Sequence, residues 1–338
     1  MDGNGHKIAA DVEEAMERYI DGLTEELPFA SGENVGIATD YAIGRNRYIG
    51  YLISLATRSY KNMRVGLDCS NGSTFNIAKS VFDALGAKTY VIGNEPNGLN
   101  INKDCGSTHI ENLQKLVLEK GLDVGFAFDG DADRCIAVDE TGQEIHGDFV
   151  LYVCGKYLKE CGRLDGNTVV ATIMSNMGLF KALEKAGIDY EKTTVGDKYV
   201  NEAMVANGYV FGGEQSGHII FSKHATTGDG ILTAIMLMEV MLEKKQSLHT
   251  LCAGMKMYPQ KLQNVRVEDK KAVTENVNVQ KKMQEITELL GEDGRILLRE
   301  SGTEPVIRVM VEAATDELCD KYVGEMVALI REEGWAVE

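Results

Sequence analysis

The 338-residue chain lacks an apolar run long enough to cross a membrane. A spanning helix needs about 18 or more apolar residues, and the best candidate, Ile231 to Leu242, is interrupted by Glu239. The first residues (MDGNGHK) also lack the basic start and the apolar middle of a signal peptide. These two absences predict a cytoplasmic protein that does not bind membranes.

Cysteine motifs and an excess of positive charge are absent as well. The seven cysteines form no CxxC pair, and their odd number argues against both a zinc knuckle and a closed disulfide framework. The formal net charge of −17 argues against nucleic-acid binding, which needs a basic face. A small anionic ligand stays open, because a local group of arginines and backbone amides can hold a phosphate inside an acidic protein.

Short β-branched runs alternate with helical segments from about residue 61 onward. Residues 63–67, 90–92 and 124–128 have the composition of strands, and apolar side chains recur at helical spacing between them. This alternation predicts an α/β fold with a largely parallel sheet. A Ser-Asn pair follows a strand and opens a helix twice, at Ser70 and at Ser175, and the second helix is expected to be about one turn shorter. The repeat predicts two related α/β domains with mixed, largely parallel sheets.

The last part of the chain has a different pattern. Two strand-like runs, at 295–298 and 306–311, precede a helix with one apolar face, which predicts a small C-terminal α+β domain. The first 40 residues contain one amphipathic helix and too little else to fold alone. The expected divisions are residues 1–40, 41–142, 143–258 and 259–338.

Residues 129–134 (DGDADR) give the sharpest functional signal. Asp129, Asp131 and Asp133 alternate along a turn, so their carboxylates can converge on one hard cation, and an all-oxygen set favours Mg²⁺, Mn²⁺ or Ca²⁺ over zinc. An EF-hand is rejected because Arg134 replaces the glycine at its sixth position and because the flanking residues indicate strands. The alternative is an acidic hairpin turn without a metal.

Two further loops contain groups that suit a phosphorylated sugar. Residues 212–218 (GGEQSGH) lie between apolar strands and offer glutamate, serine and histidine side chains to sugar hydroxyls or protons. Residues 299–305 (RESGTEP), with Arg308 beyond them, combine two arginines, two hydroxyls and free backbone amides, as a phosphate dianion requires. The alternatives are a hairpin with a solvated polar tip and a polar turn with surface arginines.

With the three loops in this order, the chain resembles the α-D-phosphohexomutase superfamily. Its members have four domains, and each domain contributes one loop to a central cleft: a phosphoserine loop, a DGDxDR metal loop, a GExSGH sugar loop and an SGTEP phosphate loop. The last three are present here, at Asp129, Glu214 and Ser301. Gln215 in the sugar loop resembles the phosphoglucosamine branch, whereas the phosphomannomutase and phosphoglucomutase branch usually has methionine there.

The resemblance implies a phosphoryl-transfer reaction. Phosphoserine would convert glucosamine 6-phosphate to a 1,6-bisphosphate and would then take back the phosphate from carbon 6. Mg²⁺, or Mn²⁺ as a substitute, would be held by the three aspartates and would neutralise charge on the transferring group. The implied roles of the other residues are phosphate contact for Arg134, proton transfer for His218, sugar orientation for Glu214 and Ser216, sugar-phosphate recognition for Gly196, Asp197 and Lys198, and retention of the non-reacting phosphate for Arg299, Ser301, Gly302, Thr303 and Arg308.

One part of the family pattern is missing. The sequence contains no Ser-His-Asn motif, and residues 2–8 resemble family sequence shortly after the catalytic serine loop. We therefore expect the chain to begin downstream of the phosphoserine, with residues 1–40 as the end of the first domain, and to be inactive alone. A phosphomannomutase or phosphoglucomutase, and a non-catalytic sugar-phosphate-binding protein, stay open as alternatives. The sequence also leaves a homodimer open.

Overall fold

The computed structural model describes residues 8–39, 41–301 and 304–336, and these residues form two compact units. The first unit comprises the described residues up to Ser175 together with Leu183–Gly254. The second comprises Asn176–Ala182 and the described residues from Met255 onward.

A five-stranded mixed sheet forms the first half of the first unit. Its strands are β1 (Arg64–Asp68), β2 (Lys88–Ile92), β3 (Val124–Phe128), β4 (Cys135–Asp139) and β5 (Glu144–Ile145), in the spatial order β2-β1-β3-β4-β5. β1 is parallel to β2 and β3, whereas β4 is antiparallel to β3 and β5. The helices α3 (Ala78–Ala84) and α4 (Glu111–Lys120) connect β1 to β2 and β2 to β3.

A second mixed sheet repeats this arrangement. Its strands are β6 (Thr168–Thr172), β7 (Asp189–Thr193), β8 (Phe211–Gly213) and β9 (Ile219–Phe221), in the order β7-β6-β8-β9. β6 is parallel to β7 and β8, and β8 is antiparallel to β9. The connecting helices are α7 (Asp197–Asn207) and α6 (Met177–Lys185), of which only the residues from Leu183 onward belong to the first unit. Helices α5 (Gly147–Glu160), α8 (Gly230–Lys244) and α9 (Leu248–Cys252) complete the unit. The two related α/β arrangements predicted from the repeat are therefore present.

Burial on both faces explains the long apolar runs of the central strands. Every residue of β3, β4 and β6 is buried, as expected for strands that are covered by helices on both sides. In α8 the residues from Gly230 to Met241 are also buried, so its methionines belong to the core. The two antiparallel hairpins, β3–β4 and β8–β9, place residues 129–134 and 214–218 in the short loops between buried strands.

The N-terminal part of the first unit is largely exposed. Helix α1 (Ala10–Ile20) is the amphipathic helix predicted from the sequence, and Val12, Met16, Tyr19 and Ile20 on it are each more than 40% exposed. Helix α2 (Ala42–Leu55) follows, with Leu52 buried. Across the described ranges, no helix combines the length and the apolar character that crossing a bilayer requires.

The second unit contains a three-stranded antiparallel sheet. Strands β10 (Gln260–Arg266), β11 (Arg295–Glu300) and β12 (Val306–Glu312) lie in the order β10-β12-β11, with helices α10 (Lys270–Glu275), α11 (Val277–Leu290) and α12 (Asp316–Glu332). Its buried cluster includes Val309 and Val311 of the central strand and Val323 and Met326 of α12. This is the α+β arrangement predicted for the end of the chain.

The predicted lengths of the two helices that follow the Ser-Asn pairs are wrong. α6 begins at Met177, directly after the second pair, but α3 begins only at Ala78, eight residues after Ser70. Ser70 and Asn71 have φ angles of 52° and 50°, which lie in the left-handed region and produce a turn there. The first helix, with 7 residues, is therefore shorter than the second, with 9.

His146 makes the stability of the first unit depend on pH. It lies before α5 and accepts a hydrogen bond from the Asp148 N–H at Nδ1, and burial lowers its pKa from 6.5 to about 4. Because the unfolded chain takes up this proton near pH 6.5 and the folded chain does not, the free energy of unfolding should fall as pH drops through this range. The expected loss between pH 7 and pH 5 is about 1–2 kcal/mol.

Urea unfolding of the wild type and of His146→Asn at both pH values measures this contribution. Asparagine can still cap the helix but does not titrate, so the variant should lose less stability on acidification. His249→Asn is the matched control at a half-exposed position. Equal pH dependence of the wild type and His146→Asn would contradict the prediction.

Candidate functional site

The hairpin loop between β3 and β4 brings the three aspartates together. One carboxylate oxygen from each of Asp129, Asp131 and Asp133 lies within 4.8 Å of the others. Ala132, between the second and third aspartates, has a φ of 68°, and its N–H donates to the carbonyl of Asp129 at 3.2 Å. This left-handed residue tightens the loop. The flanking strands agree with the rejection of an EF-hand, whose loop joins two helices.

The three carboxylates repel one another, and their surroundings differ. Burial, together with the charges of Asp133 and Asp131, raises the pKa of Asp129 from 3.8 to about 6, although the Arg134 N–H opposes the rise by donating to Oδ1 at 3.1 Å. The hydrogen bond from His218 holds the pKa of Asp133 below its ordinary value. An oxygen-only group whose carboxylates repel one another fits a hard divalent cation.

Arg134 is the last residue of the metal loop, directly before β4. Its Nε is 3.8 Å from Asp129 and 3.7 Å from Asp133, so it contributes positive charge at the rim of the carboxylate group. The same Nε is buried and has no hydrogen-bond partner among the described residues. The guanidinium side chain is 42% exposed, which leaves part of it accessible to an anion.

The second hairpin loop, between β8 and β9, is ordered by its glutamate. Glu214 accepts a hydrogen bond from the Gly196 N–H at 2.9 Å through Oε1, and the Ser216 hydroxyl lies 3.5 Å from Oε2. Ser216 is exposed and Glu214 is half-buried. Two of the predicted sugar-binding groups are therefore adjacent, and Glu214 contacts the residue that precedes α7.

His218 connects the two loops. Its side chain is 2% exposed, and Nδ1 lies 3.0 Å from Oδ2 of Asp133, while the Gly228 N–H donates to Nε2 at 3.0 Å. Because Nε2 accepts a hydrogen bond, the proton of the neutral ring is on Nδ1 and points to Asp133. A backbone bridge between Arg134 and His218 and a hydrogen bond from the Cys135 N–H to the Gly217 carbonyl join the same loops.

The predicted residues before α7 are close to this junction. Oδ2 of Asp197 lies 3.5 Å from Nε2 of His218, and Gly196 is in contact with Glu214. Lys198 is exposed on the first turn of α7. The structure thus brings together Asp133, His218, Asp197 and Glu214 within the first unit.

The phosphate-type loop lies in the second unit, between β11 and β12. Arg299 and Arg308 are directly opposite each other in the antiparallel register, and burial and the charge of Arg308 lower the pKa of Arg299. The Nε atoms of both arginines are buried without a hydrogen-bond partner in the described part of the chain. Arg308 Nη2 is 3.4 Å from the Ser301 hydroxyl and 3.3 Å from Glu304. Gly302 and Thr303, also predicted to contact phosphate, lie outside the described residues.

Sequence reasoning missed two elements of these loops. Lys270, at the start of α10, donates from Nζ to the carbonyl of Ser301 at 2.6 Å and adds a third cation near this hairpin. The segment Gly228–Gly230 donates backbone N–H groups to the first unit's two loops. A lysine in a charge run gave no signal, whereas the two glycines around Asp229 were a signal that could have been used.

Three family models match successive parts of the chain. They are phosphoglucomutase/phosphomannomutase alpha/beta/alpha domain II at residues 46–142, alpha/beta/alpha domain III at residues 146–258, and the C-terminal domain at residues 262–329. Together they match most of the sequence and include all three loops.

Solved structures show the same fold at low sequence identity. A phosphoglucomutase/phosphomannomutase family protein from Burkholderia thailandensis has a TM-score of 0.75 at 20% identity, over 97% of this chain and 71% of that one. An Aspergillus fumigatus N-acetylphosphoglucosamine mutase in complex with GlcNAc-6P and magnesium has a TM-score of 0.73 at 19% identity, over 86% of this chain and 65% of that one.

Curated relatives are much more similar in sequence. The phosphoglucosamine mutase of Lachnoclostridium phytofermentans is 60% identical over 99% of this chain and 75% of its own length. That of Lachnospira eligens is 59% identical over 98% and 74%, and that of Bacillus subtilis is 48% identical over 98% and 74%. The chain spans about three quarters of the length of these relatives, and it belongs to the phosphoglucosamine mutase family of the phosphohexomutases.

Proposed function

We propose that the chain carries the metal, sugar and phosphate sites of a phosphoglucosamine mutase, which interconverts glucosamine 6-phosphate and glucosamine 1-phosphate through a 1,6-bisphosphate. The observation that carries the proposal is the hydrogen bond between Asp133 and His218, because it joins the metal loop to the sugar loop. The names of relatives at 48–60% identity support this substrate.

Asp129, Asp131 and Asp133 are proposed to hold Mg²⁺, with Mn²⁺ as a substitute. The three convergent carboxylates and the raised pKa of Asp129 support this assignment, since a divalent charge would relieve the repulsion between them. When bound, the cation would neutralise negative charge on the transferring phosphoryl group. Arg134, at the rim of the same loop, would contact a phosphate oxygen.

Glu214 and Ser216 are proposed to orient the sugar, with Gly196, Asp197 and Lys198 recognising its phosphate end. Both ring nitrogens of His218 are already engaged, so its first role is to orient Asp133. Proton transfer by His218, as implied by the family resemblance, would require Nε2 to exchange the Gly228 N–H for a substrate group.

Arg299, Ser301, Gly302, Thr303 and Arg308 are proposed to hold the non-reacting phosphate. Two cross-strand arginines with buried, unpartnered Nε atoms would be stabilised by a dianion, which supplies the missing acceptors and cancels the repulsion.

We also propose that the chain divides into domains at residues 1–40, 41–142, 143–258 and 259–338. The protein is proposed to be cytoplasmic and to have no nucleic-acid partner. A homodimer is included in the proposal as an assembly to be tested.

Sugar selectivity tests the proposal against phosphomannomutase or phosphoglucomutase activity. Calorimetric titration of the chain with glucosamine 6-phosphate, glucose 6-phosphate and mannose 6-phosphate in excess Mg²⁺ should show the tightest binding for glucosamine 6-phosphate. An equal or reversed order would favour the phosphomannomutase or phosphoglucomutase assignment.

Loss of one carboxylate should weaken metal binding. We expect Asp131→Asn to lower the affinity for Mn²⁺ about tenfold or more, because affinity at oxygen sites depends on the number of charged ligands. Calorimetry measures the dissociation constant, and Asp320→Asn, which removes an aspartate paired with Lys261 in the second unit, is the matched control. Unchanged Mn²⁺ binding by Asp131→Asn would rule out the assigned site.

Loss of one arginine should weaken phosphate binding in the second unit. Removing one charge-assisted partner costs about 1.5–3 kcal/mol, so Arg308→Ala should bind glucosamine 6-phosphate roughly 10- to 150-fold more weakly. Arg266→Ala changes an exposed arginine of β10 in the same sheet and should bind like the wild type. A folded Arg308→Ala variant with wild-type affinity would remove this loop from the substrate site.

A further inference from the structure

The segment Gly228–Gly230 is hydrogen-bonded to both functional loops of the first unit. The Gly228 N–H donates to Nε2 of His218 at 3.0 Å, and the Gly230 N–H donates to the carbonyl of Ala132 at 2.8 Å. The first bond sets the tautomer that presents Nδ1–H to Asp133. The second bond fixes the peptide that links Ala132 to Asp133. The segment therefore constrains Ala132 of the metal loop directly and the neighbouring Asp133 through His218.

The metal loop needs such support because of its backbone conformation. Ala132 has a φ of 68°, which costs a non-glycine residue roughly 1–2 kcal/mol. It lies between two of the aspartates, so relaxation of its φ would turn their carboxylates away from each other. A hydrogen bond to its carbonyl from outside the loop opposes this relaxation.

Both glycines of the segment are required by close contacts. A Cβ on Gly228 would lie 2.5 Å from Nε2 of His218, and a Cβ on Gly230 would lie 2.4 Å from the carbonyl oxygen of Arg134. No side chain fits at either position without displacing the loops. Because neither glycine has a side chain, the backbone N–H groups of the segment can approach their acceptors.

Asp229, between the two glycines, is fixed at both of its carboxylate oxygens. Oδ1 accepts the Leu232 N–H at 2.9 Å and caps α8, while Oδ2 accepts the hydroxyl of Tyr48 at 2.8 Å. Tyr48 belongs to α2, which also reaches the preceding residues through a hydrogen bond from Tyr51 to the carbonyl of His224. The segment is thus held between α8, of which it is the N-terminus, and α2.

We propose that Tyr48 and Asp229 are positioning residues for the metal loop: their hydrogen bond holds the Gly228–Gly230 segment, and the segment holds Ala132 and His218 so that Asp131 and Asp133 converge. Neither residue needs to contact the metal or the substrate. The effect on metal affinity rests on the proposed metal site, whereas the effect on the loop itself does not.

The experiment compares the wild type with Tyr48→Phe and Asp229→Asn in two measurements. Hydrogen–deuterium exchange of metal-free protein should show peptides that cover residues 129–134 exchanging about threefold faster or more in Tyr48→Phe. Calorimetry should show Mn²⁺ bound about 3- to 10-fold more weakly. Asp229→Asn keeps one acceptor oxygen for two donors, the Leu232 N–H and the Tyr48 hydroxyl. It should therefore also speed exchange and weaken Mn²⁺ binding. The double variant should be no weaker than the weaker single variant, because both remove one interaction.

Tyr190→Phe is the matched control, because it removes a hydrogen bond from a tyrosine to Glu184 in the same unit. Its hydrogen bond is more exposed than that of Tyr48, so its thermal midpoint should fall no further than that of Tyr48→Phe, and its exchange at residues 129–134 and its Mn²⁺ affinity should equal the wild type. Wild-type exchange in both Tyr48→Phe and Asp229→Asn would overturn the inference. Faster exchange with unaltered Mn²⁺ affinity would overturn the link to the metal. Failure of the wild type to bind Mn²⁺, with faster exchange in the variants, would instead refute the proposed metal site.

Discussion

The hydrogen bond between His218 and Asp133 is the interaction on which the arrangement of the first unit's loops depends. It lowers the pKa of one carboxylate in a group of three that repel one another, so it lets them stay close even though burial raises the pKa of Asp129. The same imidazole is buried under Gly228 and belongs to the other hairpin. The imidazole of His218 therefore links the charge of the metal loop to the backbone conformation of the sugar loop.

The sequence predicted the elements whose signals are local. Continuous apolar runs identified β3 and β4 because both strands are buried on both faces, and alternating aspartates between them identified the convergent carboxylates. The order of the three loops was enough to identify the family. The C-terminal hairpin was predictable too, because Arg299 and Arg308 flank a short turn and therefore face each other across it.

The sequence did not reveal features that depend on long-range contacts. Both ring nitrogens of His218 are hydrogen-bonded, one to Asp133, which is 85 residues away, and the other to Gly228. Tyr48 and Asp229, which are 181 residues apart, gave no local signal at all. The start of α3 was misplaced because Ser70 and Asn71 adopt left-handed conformations, which helical spacing of later apolar residues does not exclude.

The equivalent strand order of the two sheets in the first unit has a consequence for how the metal loop and the sugar loop are arranged. β3 and β4 correspond to β8 and β9, so the metal loop and the sugar loop occupy the same position in two copies of one topology. Arg134 and His218 are each the residue just before the fourth strand of their copy, and they pair with each other in an antiparallel bridge. Equivalent residues that pair in this way lie on a local pseudo-twofold axis. The two hairpins are thus related by a local two-fold axis at this bridge, and the chemical difference between the proposed cation site and the proposed sugar site arises from the side chains of two equivalent loops.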